Sequence, residues 1–363
     1  MMAKSKHLLI HRRAVSMGEF TRKINTSDFD YDLPDDLIAQ TPIKHRDQSK
    51  LMVLSRLTRQ ISHHKFYQIT DHLFEDDVMV LNNTRVSPAR FYGKRSDTGS
   101  PIELLLLEQI SPGIWKTLVK PGKRMRNGAS FEIIGQNHRL EGEVLDVDRD
   151  GSRIVKIEGQ EFLNEIGVIP LPPYIRESLE DPDRYQTVYS STLGSVAAPT
   201  AGLHFTDELL GTISEMGVEI VYVTLHVGWG SFRPVDSEDP REHVLHSEAW
   251  ELGKDAADKI NLAKSDGRRI VSVGTTAVRL LEHVAIQSGG ILQSGSGKVD
   301  LFILPGHQFK IVDALITNFH LPKSTLLMLT SAFGDRELIL NAYRTAVSCR
   351  YRFYSFGDAM FVT

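Results

Sequence analysis

The hydrophobic period changes along this chain, and that change restricts the fold more than any other feature of the sequence. From Val78 to about Gly159, short alternating or apolar runs (VMVL, ARFYGKR, PIELLLLE, IWKTLVK, ASFEIIG, EGEVLDV, RIVKIEG) are separated by Gly, Asn, Asp and Ser, the pattern of strands joined by turns. This predicts a small all-β unit, a barrel. From Asn164 onward, strands alternate with helical stretches. Thr206 caps a predicted helix with Asp207 and Glu208 in its first turn, an apolar stripe of Leu209, Leu210, Ile213 and Met216, and a stop at Gly217. The strand VEIVYVTLHVG follows, then RIVSVG with the helix AVRLLEHVA, then ALITNFHL, a break at Pro322 and a helix capped by Ser324. Such alternation predicts an α/β fold, a mixed and partly parallel sheet with flanking helices, carrying the small β-barrel as an inserted domain. The expected division is an α/β catalytic domain of residues 25–77 and 161–363, a barrel domain of residues 78–160, and a disordered or non-native extension at 1–24. The stretch SGGILQSGSGK at 288–298 reads as a flexible loop.

Composition limits what such a chain does. Its 363 residues, 41% apolar and 24% charged, suffice for two cores. The single cysteine, Cys349, excludes an internal disulfide, and no apolar run approaches the roughly 18 residues of a membrane span. The first 22 residues lack the apolar centre of a secretory signal. A cytoplasmic, monomeric protein without membrane contact is expected. A formal charge of -4 excludes a polycation that coats nucleic acid, so any RNA contact must come from a local patch. The most basic stretch is WKTLVKPGKRMR, where Lys120, Lys123, Arg124 and Arg126 crowd a turn of the β unit. It fits a solvated face and an RNA-phosphate contact equally.

Ligands of open α/β sheets bind at the carboxyl ends of the strands, where backbone N–H groups and helix N-termini are free. Three segments put polar groups at such ends: Thr224-Leu225-His226-Val227-Gly228-Trp229-Gly230, Gly274-Thr275-Thr276 with Arg279 one turn on, and Thr317-Asn318-Phe319-His320. Gly228 and Gly230 allow close backbone approach, and Trp229 suits either a base stack or a core. A fourth, Pro199 to Thr206, sets His204 beside a helix N-terminus. Other motifs are missing or weak. No GxGxxG follows a strand, and there is no GxxxxGK[ST] and no CxxC. His243-x-x-His246-x-Glu248 reads as a polar edge as well as a metal set, no metal is expected, and Ser195 lacks the GxSxG context of a hydrolase.

The segments DFDYDLPDDLIAQTP, VLNNTRVSPAR, LVKPGKR, PTAGLHFT, TLHVGWGSFRPV, HSE, VGTTAVRLLE, LITNFHLPKSTLLMLTSAF and YRFYSFGDAM together resemble, in order and spacing, the S-adenosylmethionine:tRNA ribosyltransferase-isomerase family of queuosine biosynthesis. The likeness runs from about Asn25 to Thr363. It implies transfer and isomerisation of the ribosyl part of S-adenosylmethionine onto 7-aminomethyl-7-deazaguanine at the tRNA wobble position. Epoxyqueuosine-tRNA, adenine and methionine are the implied products, a penultimate step of queuosine synthesis. The donor's sulfonium acidifies the ribose 5′ carbon, and adenine leaves with help from a proton donor. Histidine suits both tasks, which points to His204, His226 and His320. The resemblance further implies that Thr224, Gly228, Thr275, Thr276 and Asn318 hold the donor, with Arg279 on its carboxylate. Asn82, Asn83 and Arg85 are expected at the modified nucleotide or its phosphates, and Phe205 and Trp229 as stacking partners of the flipped base. Two rival readings predict different results: a small-molecule transferase using the same donor without RNA, and a non-catalytic RNA binder that binds tRNA without releasing adenine.

Overall fold

The centre of the molecule is a nine-stranded sheet in which an inner strand, Val78–Asn82, is buried along its whole length. Alternate residues explain why. Val78 and Val80 enter one apolar cluster, and Met79 and Leu81 enter another on the opposite face, as a strand covered on both sides requires. The computed structural model describes residues 24–232 and 235–363. The expected N-terminal extension of residues 1–24 lies, but for Ile24, outside the described residues.

In chain order the strands are β1 (Lys50–Leu54), β2 (Ile61–Lys65), β3 (Val78–Asn82), β4 (Thr84–Val86), β5 (Arg90–Arg95), β6 (Pro101–Ser111), β7 (Ile114–Lys120), β8 (Ser130–Ile134) and β9 (Arg139–Val147). They continue as β10 (Arg153–Ile157), β11 (Thr192–Ser195), β12 (Glu219–Leu225), β13 (Glu248–Leu252), β14 (Ile270–Val273), β15 (Gly295–Val299), β16 (Ala314–Asn318) and β17 (Ala359–Val362). The helices are α1 (Leu163–Ile166), α2 (Asp207–Glu215), α3 (Lys254–Ser265), α4 (Thr275–Gln287), α5 (Thr325–Gly334) and α6 (Arg336–Ser348).

The sheet runs β15-β13-β12-β3-β14-β16-β17-β1-β2. Its middle four strands, β12, β3, β14 and β16, are parallel neighbours. Buried residues of α3, α4, α5 and α6 share one cluster, whereas α2 packs on the other face with Phe66 and Ile69. Thr206 caps α2 by accepting the Leu209 N–H at 3.1 Å, and Gly217, at φ 91°, ends that turn. Because β12 and β14 flank β3 on opposite sides, the direction of winding reverses at β3. That reversal opens the crevice in which ligands of such sheets lie.

Strands β5 to β10 close into a barrel, order β10-β7-β6-β5-β8-β9, around Phe91, Leu104, Phe131, Ile133, Val144 and Val155. The period change thus marks the barrel, but β3 belongs to the large sheet and the first barrel strand is β5. The chain enters and leaves the barrel side by side, Arg90 and Val168 exchanging both backbone hydrogen bonds at 3.1 and 2.9 Å. Residues 288–298, expected as a loop, contribute β15, an edge strand on β13 whose glycines pack over Trp250. Ladder pairing orders the Gly-Ser backbone, and Leu292 and Val299 anchor its ends in the core.

Candidate active site

The polar ends of the parallel strands are knit together by Asn82, the last residue of β3. Fully buried, it donates through Nδ2 to the Leu225 carbonyl at 2.9 Å and to Thr276 Oγ1 at 3.1 Å. Its Oδ1 accepts the N–H groups of Leu225 (3.1 Å) and Thr84 (3.2 Å). The expected nucleotide contact is corrected: Asn82 spends its side chain fastening β3, β12 and α4. Asn83 Oδ1 accepts the Thr224 hydroxyl at 2.7 Å, so these two also support each other. Arg85 reaches Ser190 at 3.1 Å and Asp183 at 3.2 Å in a solvent-facing pair.

Beside this splice lies a small cavity of about 40 Å³ lined by Thr275, Thr276, Arg279, Asn318 and His320 together with the 198–201 turn. Gly274, at φ 86°, turns the chain from β14 into α4, whose first residues are the two threonines. Arg279 and Asn318 are 4% and 2% exposed, yet Arg279 Nη2 and Asn318 Oδ1 have no hydrogen-bond partner. Buried polar atoms are rarely left unpaired, and an acceptor would satisfy the first of these and a donor the second. Arg279 is otherwise fixed by Leu301 O at 3.1 Å and by Glu248 Oε2, while Glu248 Oε1 accepts the Gly228 N–H at 2.8 Å. Gly228 therefore gives its N–H to the protein. Glu248, read from sequence only as a possible metal ligand, is the counter-ion of Arg279. Among the described residues no group of three or more His, Cys, Asp or Glu is arranged to hold a metal.

The three histidines line separate spaces. His320 faces the small cavity, its ring near Thr317 (3.2 Å), Thr330 (3.4 Å) and Tyr343 (3.2 Å). Burial drives its pKa down to about 3. His204 sits in a tighter void with Arg46, Arg184 and Ser49. Its Nδ1 is 2.7 Å from Ser49 Oγ and its Nε2 is 3.3 Å from Asn318 Nδ2. Burial, then Arg352 and Arg46, lower it to about 3. His204 and His320 thus approach the same cavity from two sides through Asn318 and Thr317. His226 is turned away from it, into a cleft of about 720 Å³ between sheet and barrel that also takes in Phe91, Trp115, Gly194 and Lys298. Its pKa is lowered by burial, against which Glu251 acts, and its Nδ1 lies 2.8 Å from Thr84 Oγ1.

The remaining expected RNA contacts divide. Lys120, Lys123, Arg124 and Arg126 are exposed on the barrel turn between β7 and β8, and none forms an ion pair among the described residues. Trp229 is partly buried against the barrel core. Phe205 is corrected: it is fully buried, edge-on to Phe66 at 4.9 Å, and offers no face to a base.

A family described as queuosine biosynthesis proteins matches residues 26–362. The S-adenosylmethionine:tRNA ribosyltransferase-isomerase of Acetivibrio thermocellus is 52% identical over 343 residues, covering 93% of this chain and 100% of that one. A crystal structure of the S-adenosylmethionine tRNA ribosyltransferase from Thermotoga maritima aligns with a TM-score of 0.54 at 39% identity, over 93% of this chain and 100% of that one. With its sheet-end cavity, its barrel cleft and a match over nearly its whole described length, the chain belongs to the queuosine biosynthesis proteins, the S-adenosylmethionine:tRNA ribosyltransferase-isomerase family of enzymes.

Proposed function

We propose that this chain moves the ribosyl group of S-adenosylmethionine to the aminomethyl nitrogen of 7-aminomethyl-7-deazaguanine at the tRNA wobble position and isomerises it, leaving epoxyqueuosine-tRNA, adenine and methionine. The observation that carries the reading is the pair of unpartnered buried atoms, Arg279 Nη2 and Asn318 Oδ1, in a cavity at the strand ends next to a nucleoside-sized cleft against the barrel. S-adenosylmethionine, when bound, supplies the ribosyl group and a sulfonium that acidifies the neighbouring 5′ carbon. Arg279 suits its carboxylate, and Asn318, Thr275 and Thr276 suit its ammonium or ribose hydroxyls. Gly228 stands behind Arg279 through Glu248, and Thr224 is proposed to join them at the end of β12.

His226 is the favoured proton acceptor, because its ring faces open space and is less deeply buried than the other two. His320, neutral and buried, is suited to donate a hydrogen bond to a leaving base, whereas His204 accepts from Asn318 Nδ2 and would act through Asn318. Lys120, Lys123 and Arg124 are proposed contacts to tRNA phosphates, Arg85 and Asn83 proposed contacts to the modified nucleotide or its phosphates, and Trp229 is the stacking candidate that retains some exposure. The decisive experiment measures adenine release from S-adenosylmethionine with modified and unmodified tRNA. Release that depends on the aminomethyl base supports the reading. Methyl transfer to a small acceptor, or tRNA binding without release, overturns it in favour of a rival.

A further inference from the structure

The ring of His226 is held on two sides by the short ribbon of β4 and β11. Thr84, fully buried, places Oγ1 2.8 Å from His226 Nδ1 and 3.5 Å from the Thr192 carbonyl. A carbonyl only accepts, so a hydroxyl that turns its proton toward Thr192 keeps a lone pair for an N–H on Nδ1. Nε2 has no hydrogen-bond partner among the described residues, and the ring lines the cleft. On the other side, the β4–β11 register shifts between Leu193 and Ser195, which leaves Gly194 as the extra residue of a bulge. Its φ is 145°, and a Cβ there would stand 2.9 Å from His226 Cε1 and 3.1 Å from both ring nitrogens. Only glycine lets the backbone lie against that ring.

We propose that Thr84 and Gly194 are positioning residues for His226, which hold its imidazole as the Nδ1–H tautomer with the Nε2 lone pair turned into the cleft. The inference rests on the reading of His226 as proton acceptor and deepens it: an unheld imidazole divides its proton between both nitrogens and rotates about χ2, so only part of the population presents a base. The charged groups around the ring are Glu251 on β13, and Lys298, Glu108 and Glu161 on the cleft wall.

The test labels the full-length protein with ¹⁵N-histidine and assigns His226 by its loss in His226→Gln. In the wild-type protein Nδ1 is expected to resonate as the protonated nitrogen and Nε2 as the bare one. Thr84→Val, which keeps the branched shape but loses the hydroxyl, is expected to mix the tautomers. It should also lower kcat about 10- to 100-fold, as loss of a partner that orients a functional histidine does, with KM for S-adenosylmethionine changed less than about twofold. Thr84→Ser restores both tautomer and kcat, and Gly194→Ala lowers kcat by displacing the ring. A wild-type His226 protonated on Nε2 overturns the proposal, whether or not Thr84→Val folds. Full turnover in Thr84→Val beside an inactive His226→Gln overturns the positioning role alone, whereas full turnover in His226→Gln overturns the assignment of His226 itself.

Discussion

A histidine whose pKa sits near 3 is neutral at pH 7 but a weak base, and this separates the three imidazoles that strand-end reasoning groups together. His204 and His320 are held there by burial, whereas His226 is partly open to the barrel cleft. His226→Ala is accordingly expected to lower turnover roughly 100-fold or more while S-adenosylmethionine and tRNA still bind, measured by single-turnover kinetics beside equilibrium binding. The same depression fixes a pH effect on stability. Both groups fall from 6.5 to about 3 in the folded protein, so between those values the unfolded chain binds more protons than the native one. Stability is full above about pH 6.5 and is lost as pH falls toward 3, each group adding up to about 1.4 kcal/mol per pH unit. Urea unfolding between pH 4 and 6 is expected to show a shallower slope in His320→Gln; an unchanged slope refutes the assignment. Arg279 and Asn318 were legible in the sequence because strand ends are predictable from period. Glu248 was not, since its bond to Arg279 joins positions 31 residues apart that only the sheet brings together.

Elements show the same division between local and non-local signals. The caps at Thr206 and Ser324 and the barrel strands follow from pattern within a few residues. The place of β3 does not, because a four-residue apolar run fits a barrel wall as well as a sheet centre until its partners β12 and β14 are known. Strand β15 was hidden for the opposite reason: its Gly-Ser sequence carries no apolar period, and only pairing with β13 and the burial of Val299 order it. The turn after β7 is the element whose role is least tied to packing. Its cations Lys120, Lys123 and Arg124 are exposed and outside any ion pair among the described residues. Replacing all three with alanine is expected to weaken tRNA binding, to lower the slope of log affinity against log salt by about 2 to 3, and to leave S-adenosylmethionine affinity unchanged. Fluorescence anisotropy across a salt series checks this; normal tRNA binding at physiological salt makes the turn a solvated face.

At the scale of the whole molecule, the barrel is proposed to be a separately folding insertion in the α/β domain. The ends of the insertion already touch, Arg90 and Val168 exchanging backbone hydrogen bonds, so a short linker spans the gap without moving β4 or the segment that follows. The barrel has its own apolar cluster, and the clusters on the two faces of the large sheet draw no residue from β5 to β10. Its ties to the rest include the packing of Ala89, Val196 and Trp229 against that cluster, the Arg90–Leu171 hydrogen bond at 3.1 Å and the Lys298–Glu108 pair at 2.9 Å. That pair is more than half exposed at both ends, which makes it a weak latch. A chain in which residues 91–167 give way to a short Gly-Ser linker should therefore keep a cooperative thermal transition and helical circular dichroism. It should also keep the small cavity of Arg279 and Asn318, and so bind S-adenosylmethionine. The cleft that His226 faces loses its opposite wall, with Phe91, Trp115 and the basic turn. tRNA binding and tRNA-dependent adenine release are then expected to disappear together. A chain that fails to fold refutes the independence of the α/β part, and one that folds and still modifies tRNA removes the barrel from the site.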